Sequence, residues 1–505
     1  MARKKQPRLV LVIMDGWGLK DRDYGNAIRA AETPNFERWW HAYPHAVLAA
    51  SEEAVGLPKG QMGTSEVNHL TIGAGRILFQ DLVRINKEVE GGEFFENREF
   101  LKVMNKVKRD GSVLHLMGLV SDGGIHSHYS HLFALLKLAK DKGLEKLLVH
   151  VFTDGRDTKP KSGLGFVEDL EDYLKQLGIG EIAMVSGRYY SMDRDHNWDR
   201  TDKAYKKLVE RKGRLVASAS LAVRESYEKK ITDEFIKPVL VKTSMEREAK
   251  IKKGDGVIFF NFRNDRPRQL MERFLEKGPK GVEWVTMAQY HPDYQVAVAY
   301  PQVRLNNSLG EVLSREKIKQ LRVTETEKFA HVCFFLNCKR EEAFEGEDRI
   351  ILDSYSDIKT HDKKPEMRTP EIVKEMVQAM EERTHEVILT NICNCDMVGH
   401  TGNFKAAVKA VEVVDKAIDK IVKVGLKQGY EVLIMADHGN AEEMRDEKTK
   451  EMLTAHTTNP VPFILVSKRF KELKRDEGSL IDIAPTILKI MGIKQPKEMT
   501  GESLV

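Results

Sequence analysis

Hydrophobic residues gather along this chain in short, nearly continuous runs, and each run ends in a cluster of Asp, His, Arg and Gly. Examples are "RLVLVIMDGWG", "VLHLMGLVSDGGIHSH", "KLLVHVFTDGRDT", "EIAMVSGRYYSMDRD", "GVIFFNFRNDR", "HEVILTNICNCDMVGH" and "YEVLIMADHGN". Apolar runs without polar alternation predict strands covered on both faces, which are typically parallel. The stretches between them, such as "LFALLKLAKDKG", "DLEDYLKQLG" and "AVKAVEVVDKAIDKIVKVG", have the helical apolar period. Strands alternating with helices predict α/β layers. In such sheets ligands bind beyond the carboxyl ends of the strands, and the polar clusters fall there. The pattern therefore points to an enzyme or small-ligand binder.

The pattern lapses twice. Residues 291–313, "HPDYQVAVAYPQVRLNNSLGEVL", are rich in Pro and Asn and read as a crossing linker. The stretch "RILFQD" at 76–81 reads as the other. Two linkers predict two α/β/α-type domains: a discontinuous outer one, 1–79 with 305–505, and an insert, 80–304. There is no dinucleotide fingerprint or Walker loop; "GAGR" at 73–76 is too little for either.

The length, 505 residues, suits two or three domains. With 41% hydrophobic and 31% charged residues the balance is that of a soluble globular protein. A net charge of +4 lacks the basic footprint of a nucleic-acid or anionic-membrane binder. The opening "ARKKQPR" reads as a solvated tail. The run behind it, "LVLVIM", is too short for a signal-peptide core or membrane span, and Asp15 ends it. Of the four cysteines, Cys393 and Cys395 in "CNC" are too close for a disulfide or zinc knuckle. Free thiols in a reducing, cytosolic compartment are expected.

Four clusters carry metal-ligand chemistry: "MDGWG" with Asp15, "CDMVGH" with Asp396 and His400, "ADHGN" with Asp437 and His438, and "AHTTNPVPF" with His456. Any one Asp or His there is more often structural. Four such clusters at one sheet edge are not easily explained by packing. Imidazole with carboxylate suits zinc or manganese, and a carboxylate-rich set without thiolate leans to manganese. Two nearby divalent ions would stabilise both the attacking and the leaving oxygen of a phosphoryl displacement. The middle of the chain supplies His126, Arg156, Asp157, Arg188, Arg194, Arg263 and Arg266 at strand ends. Single arginines there are often surface ion-pair partners, but five together suit a small, highly anionic ligand. In "MGTSEVNH" at 62–69, Ser65 precedes a helical run. Such a Ser is ordinarily an N-cap. A hydroxyl between a metal site and an anion pocket is also a candidate nucleophile, and cap and nucleophile need not compete.

The motifs "MDGWG", "GQMGTSEVNHLTIGAGR", "SDGGIHSHYSH", "FTDGRDT", "GRYYSMDRD", "FNFRNDR", "TETEKFAHV", "DMVGHTGN", "ADHGNAE" and "AHTTNPVPF" occur in that order. Together they resemble the cofactor-independent phosphoglycerate mutases of the alkaline phosphatase superfamily, over nearly the whole chain. The resemblance implies a phosphatase-like domain built from both chain ends and an inserted phosphotransferase-like domain. It implies two divalent ions, usually manganese: one on Asp396, His400 and His456, the other on Asp15, Ser65, Asp437 and His438. It implies substrate contacts from His126, Arg156, Asp157, Arg188, Arg194, Arg263, Arg266 and Lys328. The reaction would interconvert 3- and 2-phosphoglycerate through a phosphoserine at Ser65. Asp157 would serve as acid/base on the glycerate hydroxyls, and Lys328 would neutralise phosphate charge on the phosphatase side. A small-molecule substrate, a monomeric state and domains that open and close about the linkers are the matching expectations. Activity should fall at mildly acidic pH, because metal ligands must be deprotonated.

The chain departs from the family pattern at a few loop positions. Cys395 stands where Pro or Ala is usual before the Asp, Cys338 and Lys339 where two small residues, commonly Gly-Gly, are expected, and His361 where Tyr is common. None replaces an expected ligand. Cys395 beside a metal ligand would make the enzyme oxidant-sensitive, unless it is a buried, inert thiol. The competing functions are another metal-dependent phosphomutase or phosphatase of the superfamily, and a non-catalytic metal and sugar-phosphate binder. The second would need a missing ligand or nucleophile, and none is missing.

Overall fold

The computed structural model describes residues 7–301 and 305–505. Most of the basic opening run lies outside these. The chain forms two compact units, 1–80 with 304–505, and 81–303. Each is built on an eight-stranded sheet.

In the first unit the strand order is Glu347–Leu352, Gln320–Glu325, Val387–Ile392, Leu9–Met14, Glu431–Met435, Val461–Val466, His45–Ala49, Glu477–Ser479. The first five run parallel. Val461–Val466 runs against its two neighbours, so His45–Ala49 points the same way as the parallel set. Leu9–Met14, flanked by Val387–Ile392 and Glu431–Met435, is buried at every residue. That explains its unbroken apolar sequence, each side chain contributing roughly 1.5–3 kcal/mol by leaving water. The 25-residue helix Phe404–Gln428 packs its apolar stripe beside helices Thr369–Glu382 and Pro34–Ala42.

In the second unit the order is Ala297–Tyr300, Glu283–Ala288, Gly256–Phe259, Leu114–Leu119, Leu147–Thr153, Glu181–Gly187, Val239–Val241, Leu215–Val216. Only the pair Glu181–Gly187 and Val239–Val241 is antiparallel. The architecture is the α/β class expected from the hydrophobic pattern.

One local expectation fails. Residues 291–313 are not a plain linker: Ala297–Tyr300 pairs parallel with Glu283–Ala288, and helix Leu309–Arg315 begins within the stretch. The run "QVAVAY" has enough β-forming apolar residues to add an edge strand, burying Ala299 and Tyr300. Residues 302–304 of the stretch lie outside the described residues. The stretch 76–80 carries neither helix nor strand. Among the described residues no helix is long and apolar enough to cross a membrane.

Candidate active site

In the first unit the parallel strands deliver their following residues to one edge. The register pairs Ile13 with Asn391 and with Met435, so Asp15 emerges beside the short helix Asn394–Gly399, which carries Asp396, and the loop carrying Asp437. Gly16 makes the turn: its φ is +77°, and a Cβ there would lie 2.7 Å from the Asp396 backbone. The close approach lets the Asp396 N–H donate to the Asp15 carbonyl at 3.1 Å. Helix Ser65–Ala74 brings in the hydroxyl. Its N-cap is Thr64, whose side chain accepts from the Val67 N–H. Ser65 is therefore not the cap, as its position before the helix suggested, but the first helical residue. Because Thr64 takes the capping task, the Ser65 hydroxyl is free to face the centre.

The geometry around Ser65 is tight. Its Oγ lies 2.8 Å from Lys328 Nζ, 2.8 Å from His438 Nε2 and 3.4 Å from Asp15 Oδ1. Lys328 Nζ also reaches Asp15 Oδ2 and Asp396 Oδ2, both at 2.8 Å. Burial alone would favour a neutral amine, but Asp15, Asp396 and Asp437 overcome it and raise the Lys328 pKa. Burial pushes Asp15 and Asp396 upward, but Lys328 together with the neighbouring histidines outweighs it, holding Asp396 well below the usual carboxylate range and Asp15 below it too. Asp437 goes the other way. Burial, then Asp15, push it well above its ordinary value. One ammonium does not balance three buried carboxylates.

The imidazoles are oriented with equal care. His400 Nδ1 donates to the Thr454 carbonyl at 2.6 Å, His456 Nδ1 to the Gly63 carbonyl at 2.9 Å, and His438 Nδ1 to the Gly439 carbonyl at 3.3 Å. A carbonyl only accepts, so each Nδ1 carries the proton and each Nε2 offers a lone pair. His400 Nε2 and His456 Nε2 are 3.0 Å apart, each 3.1 Å from Asp396 Oδ1. Two lone pairs at that separation repel unless a proton or a cation stands between them. Asp437 Oδ2 is buried without a hydrogen-bond partner. Three groups have ligand atoms close enough to share an ion: Asp396, His400 and His456; Asp15, Asp396 and His438; Asp15, His69 and Asp437. Nitrogen and oxygen donors without thiolate, with an excess of buried negative charge, fit divalent metal.

The second unit gathers the arginines at the ends of three strands, and His126 at the end of the strand Leu114–Leu119 that lies among them. Arg188, buried, places one terminal nitrogen 2.6 Å from both Asp154 Oδ1 and Asp157 Oδ2. Asp154 is anchored by Ser121 and by the N–H groups of Arg156 and Asp157. Asp265 holds Arg194 at 2.7 Å and Arg263 at 3.1 Å. Arg156 meets Glu234 at 3.4 Å, and Arg266 donates to the Met192 carbonyl at 3.2 Å. His126 lies between Asp157 and Asp265, at 3.7 and 3.6 Å. Burial and the Arg188 charge lower its pKa to about 4, so it is neutral at pH 7. The Arg266 pKa is lowered by burial and by crowding from Arg188, Arg194 and Arg156. Guanidiniums crowded that closely, three of them half-exposed, call for an anion.

The structure thus brings Asp15, Ser65, Lys328, Asp396, His400, Asp437, His438 and His456 together in one unit. His126, Arg156, Asp157, Arg188, Arg194, Arg263 and Arg266 come together in the other. Sequence reasoning missed His69, Asn391 and Glu442. Glu442 accepts from the Gly18 and Asn440 N–H groups and from Asn459, fixing the turn behind Asp437. A buried Asn inside an apolar strand, as in "VILTNI", was the available signal for Asn391. The Cys395 thiol is fully buried, and burial pushes its pKa well above the usual value, the state of an inert thiol.

Residues 85–292 match a family model described as the BPG-independent PGAM N-terminus. A 2,3-bisphosphoglycerate-independent phosphoglycerate mutase of Moorella thermoacetica is 48% identical over 506 residues, covering 98% of each chain. Another so named, from Methanosarcina acetivorans, is 50% identical over 517 residues, covering 100% of this chain and 99% of its own. Among solved structures, a Leishmania mexicana phosphoglycerate mutase at low cobalt concentration is 28% identical. It matches with a TM-score of 0.57, covering 100% of this chain and 98% of its own.

Proposed function

The chain belongs to the 2,3-bisphosphoglycerate-independent phosphoglycerate mutases, which are isomerases, and on that premise we propose that it interconverts 3- and 2-phosphoglycerate through a phosphoserine at Ser65. The observation that carries this is the setting of the Ser65 hydroxyl, which accepts from Lys328 and faces the Nε2 lone pair of His438. Burial lowers the His438 pKa to about 4, so the imidazole is neutral at pH 7 and its Nε2, beside Ser65 Oγ, can help hold an ion that would lower the hydroxyl's pKa. The Lys328 charge favours the alkoxide and then faces the transferred phosphoryl group. Helix Ser65–Ala74 aims the positive end of its dipole at the same group.

Asp396, His400 and His456 would hold one divalent ion, and Asp15, Ser65, Asp437 and His438 a second. We assign both as manganese from the carboxylate-rich donor set. Such ions supply Lewis-acid stabilisation of the attacking and leaving oxygens. His126, Arg156, Arg188, Arg194, Arg263 and Arg266 hold the substrate's carboxylate and phosphate, and Asp157, fixed by Arg188, exchanges protons with the glycerate hydroxyls. Ser65 takes the phosphoryl group, glycerate stays bound and turns, and the other hydroxyl takes the group back. The domain roles follow: phosphatase-like for the outer domain, phosphotransferase and substrate-binding for the insert. We assign the protein to the cytoplasm.

The test is a coupled assay for 2-phosphoglycerate without added bisphosphoglycerate, alongside metal analysis. Activity should be lost to chelator and restored by manganese. Ser65→Ala should lower kcat by at least about 10⁴-fold, as loss of a covalent nucleophile does. Activity that survives this change overturns the phosphoserine. Release of inorganic phosphate without 2-phosphoglycerate would make the protein a phosphatase instead.

A further inference from the structure

Two side chains outside the assigned set form a continuous bridge between the Ser65 helix and Asp15. His69 stands one helical turn after Ser65 and is fully buried. Its Nδ1 lies 2.8 Å from the Ser65 carbonyl oxygen, which only accepts, so Nδ1 carries the proton. Its Nε2 is then an acceptor, and it lies 3.1 Å from Asn391 Nδ2. That amide also donates to Asp15 Oδ2 at 2.6 Å. Turned the other way, the Asn391 amide would set its oxygen against the Asp15 carboxylate, so its orientation is fixed by charge. Asn391 Oδ1 has no partner, which leaves the nitrogen as the working end of the side chain.

We propose that Asn391 and His69 are positioning residues: they lock the nucleophile's helix to Asp15 so that Ser65 Oγ is held at its reacting distance. The proposal rests on Ser65 being the nucleophile. The alternative use of His69 is as a metal ligand with Asp15 and Asp437. Both ring nitrogens are already engaged, Nδ1 by a carbonyl and Nε2 by an amide, which argues for positioning. Neither residue touches the transferred group, so at saturating metal removing one should leave substrate binding and metal occupancy intact and misplace the hydroxyl. Misplacement on the scale of 1 Å costs on the order of 100-fold in rate.

The experiment compares Asn391→Ala, His69→Asn and the double variant, each metal-loaded and checked for folding by circular dichroism and Tm. His69→Asn keeps an amide donor near the Ser65 carbonyl but removes the acceptor for Asn391. Expected for Asn391→Ala is a fall in kcat of about 100-fold, with KM and bound metal within about twofold of the parent. His69→Asn should fall by about tenfold, and the double variant should be no slower than Asn391→Ala, because both break one bridge. Multiplying losses in the double variant, lost metal in His69→Asn, or a lowered Tm with unchanged kcat would each overturn the proposal. If Ser65→Ala is dead while Asn391→Ala is normal, this inference fails and the phosphoserine stands. If Ser65→Ala is active, the phosphoserine itself fails.

Discussion

The two functional clusters stand on the same scaffold and carry opposite charge. Both lie beyond the carboxyl ends of contiguous parallel strands. In the outer unit Asp15, Asp396 and Asp437 converge with almost no exposure around a single ammonium. In the inserted unit arginines converge, several half-exposed, and Asp154, Asp157 and Asp265 space them apart. The sheet sets where chemistry gathers, and the few residues after each strand set its sign. Burial sets how strongly the cluster needs a counter-charge. The buried carboxylates shift their own pKa values in opposite directions, whereas the half-exposed arginines are tempered by water and local aspartates.

The sharpest way to break that contrast is Lys328→Met, which removes the buried counter-charge. In metal-loaded enzyme kcat should fall about 100- to 1,000-fold, the cost of losing one aimed electrostatic group. The mirror change, Arg266→Met, should instead raise KM by about 10- to 100-fold with kcat nearly kept, because it removes ground-state anion binding. Equal effects of the two on KM would erase the division of labour. Acid tests the inserted unit on its own. His115, His131 and His150 are buried in the inserted unit, and burial lowers all three pKa values, His131 to about 3. Above pH 6.5 they are neutral folded or unfolded. Below it the unfolded chain takes up their protons more readily than the folded one, so the unit loses stability as pH falls, His131 alone contributing about 1 kcal/mol at pH 5.5. Hydrogen exchange of Leu114–Leu119 and Leu147–Thr153 in metal-saturated protein at pH 7.5 and 5.5 reads this, and equal protection at both would refute it. The smallest effect concerns the wall behind Lys328. A six-residue π-helix, Ala330–Phe335, is followed by Cys338 and Lys339 at φ +57° and +67°. Side chains are strained there, so Lys339→Gly should raise stability by about 0.5–1 kcal/mol without changing kcat.

Much of this was legible in the sequence because buried parallel strands write themselves as unbroken apolar runs. Leu9–Met14 and Val387–Ile392 are plain for that reason, and Asp15 and Asp396 follow them. The left-handed backbone at Cys338 and Lys339 also explains why Gly-Gly is the pattern from which this chain departs. What was not legible depends on tertiary closure. Nothing local tells that Asn391 meets a histidine 322 positions away. Nor does the sequence say whether Thr64 or Ser65 caps the helix, since both can. The strand within 291–313 was hidden by its prolines and asparagines, although its alternating "VAVAY" was present. The fate of Cys395 turned on burial, which neighbouring residue types do not fix.

Asp15 and Asn391 touch at 2.6 Å across 376 positions of sequence. At about 5–20 residues per second a ribosome needs on the order of 20–75 s to make the second after the first. Every strand of the inserted sheet is synthesised in that interval. Throughout it Leu9–Met14 has neither of its eventual neighbours, Val387–Ile392 and Glu431–Met435. The newborn chain thus carries an apolar, unpaired strand for most of its synthesis, a template for wrong pairing. It completes the centre that Asp15 begins only when its last third emerges. Birth order, as much as chemistry, makes this centre the final thing the molecule acquires.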